Sequence, residues 1–452
     1  MQMSFYKRAA PTATAVYDGA PFPLASARAP APSRRVATAV VLALLNQVVS
    51  SGSNFVLGAL LVRRLTDVGF GAWGLAFSAL LLALNFAEAL VLTPMVVGIA
   101  QAPAEQVKGY VGTVFTGACV VAAVGALLVT LGAAAVFHST WSGPVVALAA
   151  ACGLASFSFV VKDTVIRICF ALSRERLALL VNVTFGATLL ALVVSPALHV
   201  ASPTRALLAY FTAGGVASLA GVGLLRLAPA QILVNPLQEL SRLFKEGRCY
   251  LGASLAYWLR VQAPTLVTTW ALGLASVGVL AAGRLLLSPP IMVNPALSQI
   301  ALPRLSRLAA TPEDTARFDR GVLLLVAGLV ALSIGYSAVL WWGFGPVTRI
   351  ILGPGRGVSK AIAGAWCLFT LTNGIRCATE IGLKALRKAK YILMVNLAAA
   401  GVVFPACAAA VRFLGVPGVV LGVALTELLL AGAMLVSGRH AARRFAAARE
   451  AS

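Results

Sequence analysis

The sequence predicts an all-α polytopic membrane protein of about twelve transmembrane helices, arranged as two six-helix lobes in a parallel repeat. Three observations lead there. Of 452 residues, 60% are hydrophobic and only 11% charged. The apolar residues gather into runs of roughly 20, the length that crosses a hydrocarbon core about 30 Å thick. The chain also matches itself when its second half is laid on its first.

Taken in order, the runs place helices near 37–62, 71–99, 110–136, 144–170, 177–200 and 205–226. A second set follows near 250–272, 277–302, 320–344, 359–383, 391–414 and 416–438. Helix is the state lipid permits, because hydrocarbon offers nothing to an open backbone N–H or C=O, and no ten-residue alternating pattern of a membrane strand occurs. Residues 1–35, rich in Ala, Pro and Ser and without an apolar signal-peptide core, read as a disordered cytoplasmic arm. Residues 227–249, with Pro229, Pro236 and an amphipathic run over 237–244, read as a cytoplasmic interfacial linker. The lobes are then 36–226 and 250–438, with 439–452 a basic cytoplasmic tail.

A net charge of +22 raises the question of nucleic acid. With a cytoplasmic amino terminus, however, most of the 36 Lys and Arg fall on cytoplasmic segments, which is the positive-inside pattern of an inner-membrane protein with both termini inside. Arg34, Arg35, Lys384, Arg387, Lys388, Lys390, Arg443 and Arg444 are therefore topology signals and contacts for membrane lipids, and no nucleic-acid binding is expected. The same orientation puts the turns after Arg174 and Arg387 in the cytoplasm and those after Ser139 and Arg356 in the periplasm.

The repeat appears at an offset of 209, which lays Val68, Gly69, Gly74, Asn85 and Pro94 on Val277, Gly278, Gly283, Asn294 and Pro303. A second alignment, at 214, lays Leu179, Val181 and Asn182 on Leu393, Val395 and Asn396 and puts Lys162 on Arg376. Helix 2 thus matches helix 8, and helices 4 and 5 match 10 and 11. An even number of helices per half makes the halves parallel, related by an axis along the membrane normal. Pro94 and Pro303 are expected at equivalent kinks.

Ionisable residues within the spans are Glu88, Lys162, Asp163, Arg167, Arg260, Arg284, Arg376, Glu380 and Glu427. At about 2.5–3.5 kcal/mol each near a helix centre, they must face the bundle interior, water or one another. Asp163 with Arg167, and Arg376 with Glu380, are four apart and can pair along one helix face, as structural pairs or around a ligand. Arg260 and Arg284 have no neutralising neighbour at helical spacing, so a ladder of the two along the cavity wall is expected to grip an anionic group. Arg376 and Lys162 join them as substrate-binding candidates, with Asn54, Asn85 and Asn294 as hydrogen-bonding groups or packing contacts. Glu88 and Glu427 lack an adjacent partner. Each reads either as an ion-coupling carboxyl or as a group hydrogen-bonded or arginine-paired within the bundle.

The seven cysteines include no ligand-spaced pair, and His138, His199 and His440 are too scattered for a metal site, so no metal or cofactor is expected. The stretch from Gly353 to Lys360 has its Ser and Lys in the wrong order for a phosphate loop.

The stretch from Asn46 to Leu75, with Ser50, Ser51, Gly52, Ser53, Asn54, Phe55, Arg63, Phe70, Gly71 and Gly74, resembles the opening of polysaccharide flippases of the multidrug/oligosaccharidyl-lipid/polysaccharide (MOP) exporter superfamily. The turn from Arg167 to Arg176 resembles their helix 4–5 connection. The resemblance implies a MATE-like fold and a transporter, not an enzyme. It also implies a substrate, a lipid-linked oligosaccharide whose pyrophosphate enters a cationic cavity while its polyprenyl tail stays in lipid, and polysaccharide polymerase or assembly proteins as partners. Coupling to protons or sodium stays open. A multidrug extruder shares the architecture and would meet cationic drugs with carboxylates. A glycan polymerase would need a large periplasmic loop, and an assembly scaffold would have no use for Arg260 and Arg284 in the membrane.

Overall fold

The computed structural model describes residues 34–95, 99, 107–195, 200–226, 236–310, 315–354, 357–386 and 388–450. Residues 42–452 form one compact unit, and the opening of the first helix, up to Val41, belongs to another. Among the described residues every regular element is a helix. The first lobe contains α1 (Arg34–Arg64), α2 (Asp67–Ala87), α3 (Val107–Thr140), α4 (Val145–Ala171), α5 (Glu175–Val194) and α6 (Pro203–Leu225).

In the second lobe the helical run Pro236–Leu286 breaks at Gly273, whose φ of 78° and ψ of 177° no helix contains, giving α7 (236–272) and α8 (274–286). α9 (Ser288–Ala310), α10 (Thr315–Trp342), the short α11 (Phe344–Leu352) and α12 (Lys360–Ala385) follow. The run Ala389–Glu450 breaks at Gly415 (φ 60°) into α13 (389–414) and α14 (416–450). Both hinge glycines supply a positive φ that a Cβ would strain. With α8 and α9 taken together, a helix among the described residues stands at each of the twelve expected positions.

Nine stretches among the described residues are long and apolar enough to cross a membrane by length and composition, and Lys390–Val436 among them holds both α13 and α14. α12 falls outside that set because Arg376, Glu380 and Lys384 on one of its faces lower its hydropathy; that face lines a cavity instead of lipid.

Over 236–249, within the expected interfacial linker, the chain is helical and continues into α7. Residues 227–235 lie outside the described residues, as do Arg356, Arg387, His199 and the expected arm as far as residue 33. The tail is helical as far as Glu450.

Local chemistry sets the ends. Thr66 caps α2 by accepting the Gly69 N–H at 3.1 Å, Ser202 caps α6 ahead of Pro203, and Ser359 caps α12. The α4–α5 turn closes with Ser173 at φ 53° and the Arg174 N–H on the Cys169 carbonyl, a Schellman-like ending.

α2 passes through a π-turn at Glu88–Leu92, where the Thr93 N–H reaches back five residues to the Glu88 carbonyl. Pro94 follows, with no N–H to offer Leu90, and the wider turn absorbs that loss. The second lobe is irregular elsewhere. Its counterpart helix is interrupted at Leu287, ahead of Pro289 and Pro290, and stays helical through Pro303. Pro290 cannot donate to the Leu286 carbonyl, and the Tyr336 hydroxyl donates to it instead at 2.7 Å. At the repeat offset Leu287 corresponds to Ser78, so equivalent kinks at Pro94 and Pro303 are not what forms.

The lobes meet where α2 crosses α8. A Cβ on Gly71 would collide with the Leu274 carbonyl, and one on Gly278 with the Asp67 carbonyl. Val68 and Val277, matched in the repeat, lie between these contacts. The crossing therefore falls at matched positions along the two helices. Arg63 Nε, at the same end, donates to the Ile351 carbonyl of α11 at 3.2 Å.

Candidate functional site

A cavity of about 710 Å³ lies between the lobes. The first lobe lines it with Asn54 and Gly58 of α1 and with Phe70, Trp73, Phe77 and Ser78 of α2. The second contributes Tyr257 and Gln262 of α7, Arg284 of α8, Asn294 and Ser298 of α9, a long face of α12, and Glu427 of α14. On α12 the lining residues Trp366, Phe369, Asn373, Arg376, Cys377, Glu380 and Lys384 recur every three or four positions, one stripe of one helix. Ser78 Oγ donates to Gln262 Oε1 at 2.9 Å, and the Trp258 indole N–H donates to the Ser78 carbonyl at 2.9 Å, tying α2 to α7 beside the cavity.

The charges are concentrated in the second lobe. Glu427, 2% exposed, takes ion pairs from both Arg260 and Arg376. Arg376 also pairs with Glu380, which Lys384 reaches from the next turn at 2.7 Å. Asn294 Nδ2 donates to Asn373 Oδ1 at 3.0 Å, and Asn373 Nδ2 faces Glu427 Oε2 at 3.4 Å. One carboxylate between two guanidiniums leaves donors over. Arg260 Nε and Nη2 are buried without a hydrogen-bond partner, and Arg376 Nε meets Glu427 as a charge contact without hydrogen-bond alignment. The Arg284 guanidinium, half-buried on the wall, makes no ion pair or hydrogen bond among the described residues. Four cations (Arg260, Arg284, Arg376, Lys384) thus stand against two carboxylates (Glu380, Glu427).

The first-lobe ionisable residues pair among themselves. Arg167 bonds Asp163 at 3.2 Å across one turn and Glu88 of the π-turn at 3.0 Å. Lys162, 3% exposed, points at Asn182 Oδ1 at 3.4 Å and lies over the rings of Phe159 and Phe185, at 5.2 and 4.7 Å from their centres.

Several expectations need correction. Arg260 is not on the cavity wall beside Arg284; it lies behind it, 1% exposed, neutralised by Glu427 from a helix 167 residues on. No expectation from helical spacing could find that partner. Lys162 and Asn85 are not among the lining residues either, and Asn85 Nδ2 bonds its own helix at Leu81 O. Glu88 and Glu427 do have partners, both arginines, which was the second of the two readings open for them. Arg284, Arg376, Asn54, Asn294, Glu380 and Glu427 are brought together.

Lys384, read as a topology signal, is on the wall. Its place four residues after Glu380 extends the Arg376–Glu380 ladder, and that spacing was the signal available. The aromatic lining and Gln262 carried no polar or periodic mark to set them apart from packing. Among the described residues no group of three or more His, Cys, Asp or Glu stands close enough to hold a metal ion.

No family model matches the chain, and no curated protein matches it in sequence. Solved structures do. A multidrug resistance MATE family transporter of the MOP superfamily, in its inward-facing conformation, superposes with a TM-score of 0.69 at 15% identity, covering 90% of this chain and 98% of that one. The lipid II flippase MurJ, inward closed, gives 0.70 at 12% identity, covering 91% and 90%. A MOP superfamily transporter from Pyrococcus furiosus, noted for the reverse polarity of its binding pocket, gives 0.61 at 13%, covering 91% and 96%. At these identities the likeness speaks for architecture, and over nine-tenths of its length this chain has the multi-pass MOP superfamily fold.

Proposed function

We propose that this chain exports a lipid-linked (polyprenyl-pyrophosphate) oligosaccharide across the cell inner membrane by alternating access, for surface-polysaccharide or exopolysaccharide synthesis. The observation that carries the reading is the excess of cations on the second-lobe side of the cavity, with Arg284 unpaired on its wall. A buried guanidinium without an anion is costly, and a phosphate oxygen pair fits its planar fork. Phe77 and Phe369, the partly exposed rings of the lining, can meet the C–H faces of sugars, while the polyprenyl chain stays in lipid.

The lining follows α12 from Trp366 to Lys384, toward the end that leads into the α12–α13 turn, which the positive-inside pattern makes cytoplasmic, and the glycine crossing of α2 and α8 closes the lobes at the other end. With cytoplasmic termini, this state receives its substrate from the cytoplasm. Rocking the lobes apart at Gly71 and Gly278 then opens the cavity outward.

A second reading, a MATE-type multidrug extruder, is favoured by Glu380 and Glu427 on the wall. Arg284 separates the two. Arg284→Gln is expected to abolish oligosaccharide export at unchanged protein abundance, and Arg284→Lys to restore it in part, because an ammonium lacks the bidentate fork. An Arg284→Gln protein that exports the glycan at the normal rate overturns the anion reading, and one that loses extrusion of cationic dyes instead supports the extruder.

A further inference from the structure

Lys162 is the buried charge that the cavity does not use. Its neighbours in the lobe are accounted for: Asp163 is taken by Arg167, and Arg167 by Glu88 as well. Asp163 also acts on the Lys162 ammonium electrostatically. No carboxylate bonds Lys162 among the described residues, and its one acceptor is a neutral amide at a long 3.4 Å.

The other repeat sharpens the contrast. The position matched to Lys162 is Arg376, which cannot give up its proton and which faces two carboxylates. Where the partners are carboxylates the residue is arginine, permanently charged. Where they are an amide and two rings it is lysine, the cation that can become neutral.

The surroundings respond to that charge. An ammonium binds Asn182 Oδ1 and the π-faces of Phe159 on α4 and Phe185 on α5, so it holds α4 to α5; a neutral amine loses the attraction to both rings. Asn182 Nδ2 in turn donates to Asn46 Oδ1 of α1 at 2.8 Å. Phe159 and Phe185 pack edge-on against Tyr210, whose hydroxyl faces Asn54 Oδ1 at 3.4 Å on the cavity wall. On α1, Asn46, Ser50, Ser53 and Asn54 lie on one face, a polar stripe between Asn182 and the cavity wall.

We propose that Lys162 is a proton-coupling site of this chain: its ammonium releases a proton to water admitted along the polar face of α1, leaving a neutral amine, and regains it in the other half of the cycle, loosening and tightening α1, α4 and α5 against one another. The assignment does not depend on which substrate is carried.

The test uses the full chain in lipid nanodiscs, its native cysteines replaced, with spin labels on Ser139→Cys in the first lobe and Gly345→Cys in the second. The distance distribution between labels is recorded over a pH series. The wild-type distribution is expected to shift between two populations with one midpoint. Lys162→Arg, always charged, and Lys162→Met, never charged, are expected to hold opposite populations at every pH. Asn182→Asp, which gives the ammonium a carboxylate, is expected to raise the midpoint by about 1–3 pH units. A wild-type distribution indifferent to pH, a Lys162→Arg protein that still titrates, or an unmoved midpoint in Asn182→Asp overturns the assignment. Should Lys162→Met fail to fold, the other two variants decide it.

Discussion

A carboxylate buried between two guanidiniums, as Glu427 is between Arg260 and Arg376, offsets the cost of burying their charges at 1% and 7% side-chain exposure. Removing one partner of a buried pair costs about 3–5 kcal/mol because the other is left uncompensated. Glu427→Gln is therefore expected to destabilise the purified protein by that order in thermal unfolding. Arg260→Met should cost less, since Arg376 still serves Glu427; equal losses in the two variants contradict this arrangement. The residue-scale pairs divide cleanly by legibility. Asp163–Arg167 and Arg376–Glu380 were readable because four residues along one helix fix the distance. Arg260–Glu427 and Arg167–Glu88 were not, because which face of one helix meets another depends on packing that spacing within a helix does not encode. The unpaired state of Arg284 was legible for the same reason that Arg260 misled: both lack neighbours on their own helix, and only one has a partner across the bundle.

At the scale of elements, hydrocarbon length and the positions of Gly and Pro made the helices readable, including α13 and α14 on either side of Gly415. The site of interruption in the second lobe was not, because Pro289 and Pro290 open the ladder at Leu286 and a hydroxyl from α10 repairs it, a contact between separate helices. At the α2–α8 crossing an added side chain on either of two glycines would strike the backbone of the other helix. Gly71→Leu and Gly278→Leu are each expected to leave a folded, inserted protein that no longer transports, since the lobes cannot close at that end. Gly215→Leu, where nothing stands within 4 Å of an added Cβ, should transport normally. Normal transport by Gly71→Leu, measured in the same export assay, contradicts a closing role for the crossing.

For the whole molecule, the difference between the lobes matters more than the total of +22. In the first lobe Lys162 and Arg167 balance Asp163 and Glu88, and none of these is on the cavity wall. In the second, two carboxylates face four cations, and the imbalance is exposed to the cavity through Arg284, Arg376 and Lys384. A fold with one charge-balanced and one cationic half suits the proposal of an anion held on one side and coupling on the other. The central claim is that this anion is the pyrophosphate of a lipid-linked oligosaccharide, and its most direct test is to delete the gene and identify by mass spectrometry what accumulates in the inner membrane. Accumulation of a polyprenyl-pyrophosphate oligosaccharide, reversed by the wild-type chain and not by Arg284→Gln, is the predicted result; unchanged glycolipids with altered sensitivity to cationic drugs would contradict it.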